Sequence, residues 1–79
     1  MMAMCYNLKY MAKIEEQVGK NIQKIRKSRN LTQQELADKI DMNRAHLGHL
    51  EQGRKSPSLE TIEKIAKALR VKISEIFNF

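Results

Sequence analysis

The stretch TQQELADKIDMNRAHLGHLEQG, residues 32–53, reads as two short helices joined by a tight turn. Thr32 is a good N-cap, and Glu35 three residues on completes a capping box. Leu36, Ala37 and Ile40 then recur at helical spacing and give the first helix one apolar side. The pattern stops at Asp41 and Met42. Asn43 is a second N-cap, opening a helix whose apolar face is Leu47 and Leu50. Gly53 follows the last periodic residue, where a left-handed C-cap is wanted. These signals predict helices over about 33–40 and 44–52. Helices this short bury little against each other alone, so the remaining chain must supply a platform.

Working outward, Val18, Ile22 and Ile25 repeat at i, i+4 and i+7, the stripe of an amphipathic helix that begins at 14 or 18 and ends near 29. Lys20, Lys24, Lys27 and Arg29 occupy the rest of its surface. Beyond the central stretch, Ser58 after Pro57 caps a fourth helix with Leu59, Ile62, Ile65, Ala66 and Leu69 on its inner face. Lys64, Lys67 and Arg70 face outward there, most simply as solvated charge. The tail VKISEIFNF, residues 71–79, reads as a short fifth helix carrying Val71, Ile73, Ile76, Phe77 and Phe79. That is more apolar surface than one short helix buries in a small domain, so the excess points to a dimer face, with filling by residues 1–13 as the competing reading. The expected fold is all-α: a compact five-helix domain over 14–79, preceded by a poorly ordered extension over 1–13.

Composition sets limits. A chain of 79 residues supports one domain with one modest core. There is no Trp and there are only two Tyr and two Phe, so that core is aliphatic. Oligomerisation often completes so small a core. The net charge of +6 suits a polyanionic partner. An inert basic surface is the competing reading. Cys5 is the single cysteine, which rules out an intrachain disulfide and a thiolate metal cluster and favours a reducing cytoplasm. No apolar run is long enough to span a membrane. The start MMAMCYNLKYMAK lacks the pattern of a secretory signal, and Met11 is an alternative start. His46 and His49 lie three apart on one helix, but two histidines without a nearby Cys make a poor zinc site. There is no phosphate-binding Gly loop and no nucleophile placed with a base, so neither an enzyme nor a cofactor is expected.

Together these features resemble the lambda-repressor-like family, which includes phage repressors, Cro proteins, antitoxins and XRE-type bacterial regulators. The matching residues are Arg26, LTQQELA at 31–37, Leu47 with Leu50 and Glu51, Gly53, and PSLETIEKIAKAL at 57–69. The resemblance covers about 18–77. NRAHLGHLEQGRKS, residues 43–56, is also similar to the controller proteins of restriction-modification systems, which carry a similar Gly in the second helix. The resemblance implies a helix-turn-helix and sequence-specific binding of double-stranded DNA. A dimer would read a pseudo-palindromic operator, with half-sites about 34 Å apart in the major groove. By the same resemblance it would act as repressor or controller, by blocking RNA polymerase or touching it, in a bacterial or phage-encoded setting. The alternative is an antitoxin, or another protein-interaction module, whose main partner is a toxin.

With Leu47 and Leu50 inward, Asn43, Arg44, Ala45, Gly48 and His49 fall on the outer face or leading end of the second helix. Arg44 is the candidate for direct readout, since its fork can bridge O6 and N7 of one guanine. A phosphate contact is its other reading. Ala45 offers a methyl, His49 a contact one turn further on, and Asn43 a cap that doubles as a donor. Gly48 costs about 1 kcal/mol relative to Ala within a helix, which close approach to DNA would explain. Gln33, beside the first N–H groups of its helix, can donate to a phosphate. The exit loop of Gln52, Arg54 and Lys55 is expected to grip phosphates. By resemblance, so are Lys27 and Arg29.

The resemblance further implies that Arg26 pairs with Glu51, clamping the reading helix and leaving spare donors for a phosphate. Two independent surface charges are the competing reading. It also implies that Pro57 and Ser58 meet a twofold mate, joined by Ile73, Ile76, Phe77 and Phe79 from the tail. Asp41 departs from the family pattern, which has Gly at this turn for its positive φ. Asp visits that region more easily than most residues, so a strained but intact turn is expected.

Overall fold

The computed structural model describes residues 14–78; the extension expected over 1–13 and Phe79 lie outside the described residues. Within them the chain forms α1 (Ile14–Ser28), α2 (Gln33–Lys39), α3 (Arg44–Glu51), α4 (Leu59–Leu69) and α5 (Ile73–Ile76). None of these helices is long and apolar enough to cross a membrane.

Side chains begin the inner helices. Thr32 Oγ1 accepts from the Glu35 N–H at 3.0 Å, and Glu35 Oε1 accepts from the Thr32 N–H at 2.8 Å. Asn43 Oδ1 accepts from the N–H groups of Ala45 and His46, at 2.7 and 3.3 Å. Ser58 Oγ accepts from the Thr61 N–H at 3.1 Å. Each cap satisfies donors that have no partner within the helix.

The first four helices end alike. Past each, one N–H reaches back three residues and the next reaches back five, as from Asp41 to Asp38 and from Met42 to Ala37. This double closure is the Schellman motif, and it needs a left-handed residue at the turn. Glycine fills that place only after α3, at Gly53 with φ +78°. Asn30, Asp41 and Arg70 adopt φ of 59°, 55° and 61° with full side chains. The strained, intact turn expected at Asp41 is therefore present. The residues that follow the three non-glycine caps, Leu31, Met42 and Val71, pack partly buried against the core.

That core gathers Ile22, Leu36, Leu47, Leu50, Ile62, Ile65, Leu69 and Ile76, each essentially inaccessible. Two expectations need correction. Leu59 is 77% exposed. It occupies the first position of α4, one turn before Ile62, and borders an open groove instead of the interior. Ile76, assigned to a dimer face, is fully buried in the subunit itself. Asn21 of α1 explains its position: Nδ2 donates to the Ile76 carbonyl at 2.8 Å and the Asn78 carbonyl at 3.1 Å, drawing α5 onto α1. One turn of helix can present only one side inward, which leaves Ile73 and Phe77 partly exposed.

Candidate nucleic-acid interface

Three features fix α3 on its platform. Leu47 and Leu50 supply the apolar contact. Gly19 then lets α1 approach: a Cβ there would fall 2.4 Å from the Leu50 carbonyl oxygen and 2.6 Å from that of Glu51. No side chain fits in that gap. Gly53, at the other end of the contact, lies as tightly against Glu16.

The third feature is ionic. Arg26 Nε donates to Glu51 Oε2 at 2.7 Å and Nη2 donates to Oε1 at 3.0 Å, with the two residues 5% and 4% exposed. Two parallel charge-assisted bonds fix the orientation of both groups, not merely their separation. Burial removes water from the pair, so each charge depends on the other. Nη1 donates to the Leu31 carbonyl at 2.7 Å, so three of the five guanidinium N–H groups are engaged within the subunit, on a side chain that burial keeps almost wholly from solvent. Gln33 Nε2 adds a further bond to Glu51 Oε1 at 3.0 Å. Glu51 thus ties α1 and the start of α2 to the end of α3.

The solvent side of α3 carries the expected readers. Asn43, Arg44 and Ala45 are exposed at its leading end, and His49 is half-buried one turn on. His46 is exposed and Gly48 half-buried. Asn43 spends its side-chain oxygen on the cap, as noted above, which leaves its amide N–H groups as donors. Gly48 differs from the other two described glycines. A Cβ there would meet only the Gln33 amide, at 3.9 and 4.0 Å, an ordinary contact distance. Packing within the subunit does not require glycine at 48.

The phosphate candidates divide. Gln52, Arg54, Lys55 and Lys27 extend into solvent. Arg29 is exposed, yet its Nε donates to the Leu69 carbonyl at 3.0 Å, where a cation complements the C-terminal end of α4. The Gln33 amide is held by Glu51. Its other hydrogen and the N–H groups at the start of α2 are what that corner can offer an anion.

Pro57 is half-buried, Ser58 is exposed but committed to its cap, and Ile73 and Phe77 are partly exposed. A groove of about 200 Å³ runs between the starts of α1 and α4, lined by Ile14, Val18, Pro57, Leu59, Ile62 and Phe77 among others. Sequence reasoning missed Gly19 and Asn21. A glycine inside a helical pattern was the available signal for the first. The second had none, since its partners are main-chain carbonyls more than fifty residues away.

Comparison with known proteins agrees with this architecture. A family model described as HTH_3, helix-turn-helix, matches residues 22–76. The chain is 46% identical over 59 residues to the immunity repressor protein of Bacillus phage phi105, covering 75% of this chain but only 41% of the repressor's length. It is 37% identical over 62 residues to control protein C.BamHI of Bacillus amyloliquefaciens, covering 77% of this chain and 76% of that one. Among solved structures, the restriction-modification controller protein C.AhdI of Aeromonas hydrophila aligns with a TM-score of 0.76 at 31% identity, over 78% of this chain and 94% of that one. With a capped two-helix motif clamped by a buried ion pair, this chain belongs to the lambda-repressor-like HTH_3 family of helix-turn-helix transcriptional regulators.

Proposed function

We propose that the protein is a transcriptional regulator that binds double-stranded DNA sequence-specifically as a homodimer, in the manner of a repressor or restriction-modification controller. The observation that carries this reading is the leading end of α3: Arg44 and Ala45 stand in solvent on a helix that Glu51 and Gly19 hold rigidly from behind. A reading helix must be fixed to a fraction of an ångström for one guanidinium to meet one base edge, and a clamped helix meets that need. Arg44, Ala45, His49 and Asn43 would read bases. Gln33, Gln52, Arg54, Lys55 and Lys27 would hold phosphates and supply most of the affinity. Arg29, tied to Leu69, would contribute mainly through its charge.

The dimer face in this reading is the groove bordered by Ile14, Pro57, Leu59 and Phe77, together with Ser58 between Pro57 and Leu59 and the exposed Ile73 of α5. Its support is Leu59, a large apolar side chain that the described residues leave 77% exposed. The same groove would serve a toxin or another protein partner in the alternative class.

Selection of bound sequences from random duplexes tests the proposal. The expected outcome is a pseudo-palindromic consensus whose guanine preference relaxes with Arg44→Ala. Weak binding with steep salt dependence and no enriched sequence would leave only phosphate attraction and favour the protein-interaction class.

A further inference from the structure

At the opposite end of α2 from Gln33, the last turns of α2 and α4 enclose a shallow concavity of about 590 Å³. Lys39, Lys64, Lys67 and Arg70 line it together with Asp41, Ile40 and Ala68. The four cations project into solvent, and among the described residues none makes an ion pair or a side-chain hydrogen bond. That sets them apart from Arg26 and Arg29, whose guanidinium groups are both engaged. Six residues of helix, about 9 Å, separate Lys39 from Gln33. The α4 side of the concavity belongs to an element with no assigned role toward DNA.

Four unpaired positive charges around one depression attract a polyanion, and the lining decides which kind. Asp41 repels a compact anion such as a phosphate cluster. Carboxylates spaced along a peptide can avoid it while reaching the lysines. The half-buried Ala68, with the 6% of Ile40 that reaches the surface beside it, offers such a peptide a small apolar contact that a phosphate would not use. We propose that this concavity docks an acidic segment of a partner protein, with its carboxylates on Lys39, Lys64, Lys67 and Arg70 and an apolar side chain against Ile40 and Ala68. The inference does not depend on how, or whether, α3 reads DNA.

The test uses the full chain and a dye-labelled oligoglutamate peptide with one central leucine, followed by fluorescence anisotropy. Lys64→Gln with Lys67→Gln removes two charges from the concavity and keeps good helix formers. Lys27→Gln with Lys55→Gln removes the same charge elsewhere. The expected result is binding that weakens at least about tenfold in the first double variant and under about threefold in the second. It should also weaken when the leucine is replaced by serine, and persist when a random-sequence DNA duplex is added. Four results would overturn the proposal: no peptide binding, equal losses in the two variants, indifference to the leucine, or displacement by tripolyphosphate at concentrations as low as the peptide's own. Duplex titrations of the same variants report on the DNA reading separately. Melting temperatures confirm that both variants fold.

Discussion

Arg26 Nε lies 2.7 Å from Glu51 Oε2, and this bond between the first and third helices is the polar centre of an otherwise aliphatic core. Losing one member leaves the other charge buried, which typically costs about 3–5 kcal/mol. Arg26→Ala or Glu51→Ala should therefore lower unfolding free energy by that amount in urea titrations. Arg26→Met combined with Glu51→Leu should cost distinctly less than either single change, because it strands no charge. Losses under about 1 kcal/mol in the single variants would mean that the pair behaves like a surface bridge.

Gly19 and Gly48 should respond in opposite senses to alanine. At 19 the new methyl meets main-chain oxygens that cannot yield without moving α3, and overpacking of this kind costs about 1–3 kcal/mol or more. At 48 the methyl has room, so removing a helix-interior glycine should add up to about 1 kcal/mol of stability. If DNA approaches the bare backbone there, Gly48→Ala will bind duplex more weakly despite melting higher. Thermal melts alongside duplex titrations separate the two effects.

The left-handed caps offer a second pair. Arg70→Gly relieves a side chain from positive φ and should stabilise by about 1 kcal/mol. Asp41→Gly should gain less, since aspartate tolerates that region better. A fall in melting temperature for Arg70→Gly would show that its side chain contributes more than its backbone strain costs.

Arg44→Ala and Lys55→Ala should distinguish reading from gripping. The first should reduce discrimination against a substituted guanine by about 1–3 kcal/mol. The second should weaken all duplexes alike and reduce the slope of log affinity against log salt by about one unit. Titrating both variants on the selected and a scrambled duplex at several salt concentrations gives all four quantities.

Asn21→Ala should loosen the tail. Without its two bonds to the Ile76 and Asn78 carbonyls, α5 loses its polar anchor while Ile76 keeps its apolar one. The expected change is modest in global stability, about 1 kcal/mol, with faster amide exchange confined to the last helix.

The sequence alone determined the helices and most of the inward face. Thr32, Glu35, Asn43 and Ser58 act within three residues of themselves, and apolar spacing identified Leu36, Leu47, Leu50, Ile62 and Leu69, because caps and periodicity are local physics. Resemblance, not spacing, brought Arg26 and Glu51 together in advance. Only the tertiary structure decided that Gly19 must lack a side chain, that Asn21 holds the tail, and that Gln33 turns to Glu51 and Arg29 to Leu69. It alone buried Ile76 and left Leu59 in solvent, although both carry the same apolar signal. The reason is common to all of these residues: each outcome depends on which main-chain or side-chain atoms arrive from a distant part of the chain, and no local pattern encodes that arrival.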